Sequence, residues 1–167
     1  MNGSRRNWLW TSTALVLGGC GFKLSRPTSY AFRSIHIAGS TALGLGPEMQ
    51  RVLQAGGAVE VITDARQVER ADLVLEILQE LREKVVVGRT STGAVRENQL
   101  RLRVKFRVRN REGVERIPET ELMQQRDITF NESYVLAKTS EETLLYANMQ
   151  TDMIQQILRR LAALQQI

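Results

Sequence analysis

One ten-residue segment constrains the fold of this chain more than any other, because residues 100–109 alternate strictly between apolar and basic side chains. A period of two is that of a β-strand, in which successive side chains point to opposite faces of the sheet. The pattern therefore predicts a strand with one core-facing surface and one cationic surface. The apolar set is Leu100, Leu102, Val104, Phe106 and Val108, and the basic set is Arg101, Arg103, Lys105, Arg107 and Arg109.

Three other segments also have the pattern of strands. Apolar residues recur at alternate positions in residues 30–38 and 73–87, and more weakly in residues 117–130. The second of these predicts a long, half-buried strand that places one parity in the core. Its predicted core residues are Leu73, Leu75, Ile77, Leu81, Val85 and Val87.

Two segments have the spacing of amphipathic helices. Pro47 suits the first position of a helix, and Gly56-Gly57 predicts where that helix ends. Thr139 and Glu142 form a capping box, which predicts the start of a long second helix. Its apolar stripe comprises Tyr146, Met149, Met153, Ile157, Leu161 and Leu164.

The predicted order is β-α-β-β-β-α, which indicates an α+β fold. We expect a single two-layer domain with a mainly antiparallel four-stranded sheet and both helices packed on one face. The strand–helix–strand unit predicts that the first strand is parallel to a neighbour. The other face of the sheet is expected to be polar and solvated.

The single cysteine, Cys20, follows Leu17-Gly18-Gly19 at the end of a short apolar run that begins after Arg5 and Arg6. This run is shorter than the roughly 20 residues that span a bilayer, so it predicts a lipoprotein signal peptide. We expect diacylglycerol on the thiol of Cys20 and an acyl chain on its amine. The alternative is a buried structural cysteine beside an ordinary helix. Arg5 and Arg6 also suit a twin-arginine signal, which leaves the export route open.

Three segments are therefore predicted: a signal peptide at 1–19 that is removed, a lipidated N-terminus and tether at 20–29, and a folded domain at 30–167. Removal of the signal would take two of the 23 Lys and Arg residues and none of the 18 Asp and Glu residues, so the net charge would fall from +5 to +3. Gly21, where an aspartate would favour retention in the inner membrane, predicts a lipid-anchored protein of the outer membrane.

The side chains that most enzymes need are scarce in this chain. His36 is the one histidine, it lies within a predicted strand, and the one thiol is expected to be lipidated. We therefore expect no enzyme, no metal site and no cofactor other than the covalent lipid. A secondary basic face formed by Arg101, Arg103, Lys105 and Arg107 suits an anionic partner, but it has no aromatic residue to stack bases, and an exported protein is expected to bind no nucleic acid.

Two basic residues are predicted to lie near each other at one end of the sheet. In an antiparallel meander, the loops at 88–93 and 131–139 follow strands that run in the same direction, so they share an end. Arg89 and Lys138 lie in these loops and can bind phosphates. Two unrelated solvated charges are the alternative.

Several short motifs, in this order and spacing, resemble the LPS-assembly lipoprotein family LptE (RlpB-type). They are Cys20-Gly21-Phe22-Lys23-Leu24, Ile35-His36-Ile37, Arg51-Val52-Leu53, Arg126-Asp127-Ile128 and Val135-Leu136-Ala137-Lys138. The resemblance implies a partner, the outer-membrane β-barrel LptD, which such proteins plug and help to assemble. It also implies contact with lipopolysaccharide in transit to the cell surface, and it places Arg89 and Lys138 at the lipopolysaccharide-binding positions. Two other functions stay open: a periplasm-facing adaptor for another envelope protein, and an anion- or nucleic-acid-binding module.

Overall fold

The structure, a computed structural model, describes residues 29–39, 44–129 and 135–165, with the backbone alone for 135–138. Five strands, two α-helices and one 3₁₀ helix form these parts. The strands are β1 (Ser34–Ala38), β2 (Glu60–Ile62), β3 (Leu73–Arg89), β4 (Val95–Asn110) and β5 (Glu115–Thr129); the helices are α1 (Leu45–Gly56), the 3₁₀ helix (Ala65–Arg70) and α2 (Val135–Ala162).

The strands form one mixed sheet in the order β2-β1-β3-β4-β5. β1 is parallel to both of its neighbours, and β3, β4 and β5 form an antiparallel meander. The predicted α+β class is thereby confirmed, as is the parallel placement of the first strand. The predicted number of four strands is wrong by one. β2 was missed because three residues at the sheet edge are too short to show a period.

Both α-helices pack on the same face of the sheet, where they enclose the main core. The predicted apolar parity of β4 is confirmed, because each of its five members is fully buried. The predicted stripe of α2 is also confirmed. Its five members from Tyr146 to Leu161 are buried, and its sixth, Leu164, packs against the core. Two amphipathic patterns with different periods therefore meet across one interface.

The predicted ends of the helices are partly right. Gly57 ends α1 in the left-handed conformation, with φ of 62°, and donates to the carbonyls of Leu53 and Gln54. The helix starts at Leu45, so Pro47 occupies its third position, where a missing N–H still leaves no helical hydrogen bond unmade. For α2 the predicted start at Thr139 is wrong, since the helix begins at Val135 and Thr139 lies inside it.

A β-bulge between Ile77 and Gln79 overturns the predicted core parity of β3. Before it, Leu73, Leu75 and Ile77 are buried against the helices as predicted. The bulge moves the residues that follow it to the opposite face, as far as the next irregularity of the pairing after Val86. Leu81 therefore pairs with Arg103 and lies 38% exposed, away from the helices. The predicted core residues Val85 and Val87 are half-buried and exposed, respectively.

The 3₁₀ helix covers the other face of the sheet at its β1–β2 end. Ile62, Ala71 and Val74 form a small second core there, with Val68 packed against it. His36 is buried in this region, and its Nδ1 lies 2.7 Å from the carbonyl oxygen of Ile62, to which it donates. His36 lies in a strand as predicted, but the expectation that this face of the sheet is polar and solvated is wrong at the β1–β2 end, where the 3₁₀ helix covers it.

Candidate functional site

The open face is defined here as the surface of β3, β4 and β5 that faces away from α1 and α2. The basic parity of β4 lies on it, in the middle of these three strands, with β3 on one side and β5 on the other. Carboxylates from both neighbouring strands stand opposite these cations. The structure therefore places the predicted secondary basic face on one continuous surface and adds acidic residues that the pattern of β4 alone did not show.

Glu76 of β3 binds two of the cations at once. Arg107 Nε donates to one carboxylate oxygen at 2.5 Å, and Arg109 Nε donates to the other at 2.9 Å. Partial burial works to raise the pKa of the Glu76 carboxyl, but the hydrogen bonds and charges of both arginines outweigh it and leave that pKa below its ordinary value. Glu76 thus stays ionised and offsets one of these two positive charges, while Glu115 lies 3.6 Å from Arg107 Nη1.

Further carboxylates lie near the middle of the open face. Arg103 Nε lies 3.3 Å from Glu83 Oε2, in an ion pair that is not aligned for a hydrogen bond. Lys105 Nζ lies 3.8 Å from Glu121 Oε2 and 4.0 Å from Glu119 Oε1. Arg101 differs, because its Nε donates to the neutral amide oxygen of Gln99 at 2.8 Å. The open face is therefore close to charge balance.

Exposed apolar side chains interrupt the ion pairs of the open face. Leu81 and Met123 flank Arg103 on either side in the register of the three strands, and Met123 is 51% exposed. They are single side chains separated by charged ones, which is ordinary for a protein surface. The open face thus combines balanced charge with scattered apolar contacts.

The hairpin end is defined here as residues 88–95, which are the last two residues of β3, a five-residue turn and the first residue of β4. Arg89 is therefore the last residue of β3 and does not lie in a loop as predicted. Thr90 closes this turn, since its N–H donates to Ala94 O at 2.8 Å and its hydroxyl accepts from the N–H of Ala94. Arg89 is exposed, and its Nη1 donates to Gly93 O at 3.1 Å. Among the described residues it has no carboxylate partner, unlike Arg103, Lys105, Arg107 and Arg109.

Lys138 belongs to the first turn of α2 and not to a loop as predicted; its side chain lies outside the described residues. The position of this turn follows from contacts further along the helix. Lys84 Nζ donates to Glu142 Oε2 at 2.6 Å, and Tyr146 donates its hydroxyl hydrogen to Glu83 O at 2.7 Å. These contacts show that α2 runs antiparallel to β3. The first turn of α2 therefore points towards the hairpin end.

Sequence reasoning missed the polar contacts that tie β3 to the helices. Beyond the bulge, β3 turns Glu80, Arg82 and Lys84 towards the helices. Glu80 accepts from the N–H of Leu45 at 2.9 Å, and Arg82 donates to Gln150 at 2.8 Å while lying over the ring of Tyr146. The alternation of β3 had placed these residues on the solvated side. These contacts could have been predicted only if the bulge were known, and the spacing of apolar residues does not show the bulge.

Cys20 and the predicted signal peptide and tether up to Thr28 lie outside the described residues, as does the segment 130–134. No helix in the described ranges is both long and apolar enough to cross a membrane. Within the same ranges, no cluster of three or more His, Cys, Asp or Glu residues is placed to hold a metal ion.

The fold and its two surfaces define a class: a two-layer α+β domain whose helices cover one face of the sheet while the other face carries balanced charge. Comparison with known proteins narrows this class. The model of the LptE family, described as lipopolysaccharide-assembly, matches residues 32–161. The chain belongs to the LptE family. This family comprises non-enzymatic lipoproteins of the bacterial envelope that act in lipopolysaccharide assembly.

Solved structures agree with this membership. The chain is 31% identical to an uncharacterized lipoprotein B from Nitrosomonas europaea, over 86% of this chain and 91% of that one, with a TM-score of 0.73. The fold is shared with rare lipoprotein B from Shewanella oneidensis, at 23% identity, a TM-score of 0.64, and coverage of 78% of this chain and 95% of that one. It is also shared with a minor lipoprotein from Acinetobacter baumannii, at 19% identity, a TM-score of 0.62, and coverage of 80% and 93%. No curated protein matches the sequence.

Proposed function

We propose that this protein is an outer-membrane lipoprotein, held by lipid on Cys20, that plugs and helps to assemble the LptD barrel. At its hairpin end it binds lipopolysaccharide on the way to the cell surface. Arg89 and Lys138 are the residues that contact the lipid phosphates. Family membership supports the role in lipopolysaccharide assembly, and the local geometry supports the finer assignments.

The observation that carries the lipopolysaccharide site is the contrast between Arg89 and the cations of the open face. Arg103, Lys105, Arg107 and Arg109 each have a carboxylate within ion-pair distance. Arg89 has a backbone carbonyl as its described partner and is exposed at the end of the hairpin. A guanidinium in this setting can form a bidentate pair with a phosphate without first giving up an ionic partner.

The position of Lys138 supports a shared site. It lies four residues, about 6 Å of helix rise, before Glu142, which contacts Lys84. Arg89 lies five residues, about 17 Å of strand rise, beyond Lys84. The two backbones are therefore separated by about 10 Å along the strand direction. This separation allows both residues to engage one multiply phosphorylated headgroup.

The open face supports the role of a plug. The lumen of a large outer-membrane barrel is polar, so a protein that fills it needs a surface of mixed charge and no broad apolar patch. The open face has this character, with Glu76, Glu83, Glu119 and Glu121 set among the cations. A polyanion such as nucleic acid would meet these carboxylates as well as the cations, which disfavours the anion-binding alternative.

Charge reversal tests the lipopolysaccharide site. We expect Arg89→Asp and Lys138→Asp each to weaken binding of purified lipopolysaccharide by more than tenfold, because repulsion replaces a charge-assisted bond of ~1.5–3 kcal/mol. The effect should shrink as salt is raised. Equilibrium binding to the isolated domain provides the measurement, and an unchanged thermal melt shows that the domain is folded.

The matched control is Arg51→Glu, which makes the same change of charge on an exposed side chain of α1 whose partner among the described residues is Glu48. It should bind lipopolysaccharide like the wild type. If Arg51→Glu weakens binding as much as Arg89→Asp, net charge and not a site governs binding, and the assignment is wrong.

A further inference from the structure

An apolar groove lies between α1, α2 and the segment that leads into β1. Leu53 and Leu158 form its buried floor, and Tyr30 and Val52 are its half-buried walls. Gly56, Ala58 and Gln155 form an exposed rim. The groove holds about 270 Å³, which is slightly below the roughly 300–1,000 Å³ of sites for small molecules. Its size and lining suit one or two apolar side chains.

The chain enters the domain at this groove. Tyr30 lines it and packs against Phe32, with ring centroids 5.1 Å apart. Burial raises the pKa of the Tyr30 hydroxyl, which agrees with a ring held against the protein. Residues 20–29 therefore end at the wall of an apolar groove.

The sequence before Tyr30 contains suitable occupants. Phe22 and Leu24 are the large apolar residues of segment 20–29, and the stretch from Ser25 to Ser29 is polar. In an extended segment, residues two positions apart point to the same side, so Phe22 and Leu24 can enter the groove together while Lys23 points away. We propose that Phe22-Lys23-Leu24 folds back and docks into this groove.

The length of the connection allows this docking. Six residues separate Leu24 from Tyr30 and span at most about 20 Å when extended, so the docked segment must lie close to the groove that Tyr30 lines. Closing so short a loop costs little chain entropy, and burial of one large apolar side chain offsets it. Pro27 stiffens the polar connection and lowers that cost further.

Docking would determine the orientation of the domain relative to the membrane. This consequence, unlike the docking itself, rests on the lipidation of Cys20 in the proposed function. Phe22 is two residues from Cys20, so the groove would lie against the lipid surface. Leu158 belongs to the C-terminal half of α2, and the hairpin end lies towards the opposite end of that helix. The sixteen residue steps of β3 cover about 53 Å, so Arg89 would project far from the anchoring leaflet.

A tryptophan reporter tests the docking. Trp8 and Trp10 are the two tryptophans of the chain, so residues 20–167 contain none, and F22W introduces a single one. With Cys20→Ser, no acyl chain is present, and the core from Phe32 onwards is retained. We expect blue-shifted emission from F22W and at least threefold weaker quenching by acrylamide than from S25W, the control in the polar connection.

A blocking variant decides where the reporter is buried. A Cβ added at Gly56 meets nothing within 4 Å, so Gly56→Leu can fill the groove without disturbing the fold, and Gly56→Ser leaves it open. We expect Gly56→Leu, and not Gly56→Ser, to make F22W as quenchable as S25W at an unchanged melting temperature. Equal quenching of F22W and S25W without any block would overturn the proposal. So would protection that survives Gly56→Leu, or protection that disappears on dilution, which would assign the groove to a second copy of the chain.

Discussion

The two faces of the sheet differ in what they contribute, although β4 supplies alternate residues to both. On the helical face, its five apolar side chains are fully buried and pack with α1 and α2 in a continuous core. On the open face, Arg103, Lys105 and Arg107 form ion pairs, and their side chains remain about 40% exposed. Burial of apolar area therefore stabilises the fold from one side, while exposed ion pairs add little to stability and leave the other side available for contacts.

The largest predicted effect on stability comes from comparing the same leucine-to-alanine change on the two faces of the sheet. Leu102→Ala should lower the free energy of unfolding by about 2–5 kcal/mol, because Leu102 is fully buried in the core. Leu81→Ala should cost less than about 1 kcal/mol, because Leu81 lies 38% exposed on the open face. Urea titrations measure both values. Equal losses would mean that Leu81 faces the core and that β3 has no bulge.

A second prediction concerns the bulge in β3, after which side chains of one parity point to the opposite face of the sheet. Gly39 has φ of +79°, and a Cβ there would lie 2.3 Å from the carbonyl oxygen of Ile77, next to the bulge. Gly39→Ala should therefore cost about 1–3 kcal/mol. Gly56→Ala is the matched control, since its Cβ meets open space at the end of α1, and it should be neutral or stabilise by up to about 1 kcal/mol. A neutral Gly39→Ala in thermal melts would contradict this close approach.

A third and smaller effect concerns the open face and depends on pH. Glu76→Gln should cost about 1–2 kcal/mol at neutral pH, a value reduced because Arg107 and Arg109 are partly exposed. The pKa of Glu76 lies below its ordinary value of 4.5 in the folded protein, so its contribution is present above that value and is lost as pH falls through the folded pKa. The stability of wild type and variant should converge once the pH falls below the folded pKa of Glu76, where the carboxyl is protonated in both the folded and the unfolded state. A gap that stays constant with pH would mean that the carboxylate charge is not the cause.

Much of the fold follows from sequence because its strongest patterns are local. The alternation of β4 and the stripe of α2 each specify one element and the side that it buries, and Gly57 specifies where α1 ends. The bulge at Ile77 could not be predicted in this way, since one extra residue in a strand is fixed by its neighbours in the sheet. The early start of α2 was missed because Thr139 and Glu142 match the sequence of a capping box. In the structure both residues lie inside the helix.

The candidate site was predictable to a smaller extent. The meander topology placed the hairpin end and the segment after β5 at one end of the sheet, and the pairing of Glu97 with both Gly88 and Thr129 agrees with it. The carboxylates that balance the open face come from β3 and β5, so pairing between strands had to be known first. The groove beside Tyr30 is formed by residues more than a hundred positions apart, and no local pattern indicates it.

The most direct test is affinity purification of the lipidated protein from its own membranes in mild detergent, followed by mass spectrometry of the proteins that accompany it. The proposed function predicts LptD in a stoichiometric amount, with both the wild type and Arg89→Asp, because the lipopolysaccharide site and the barrel contacts are separate. Recovery of a different envelope protein in that amount, with LptD absent, would contradict the proposed function and establish the adaptor alternative.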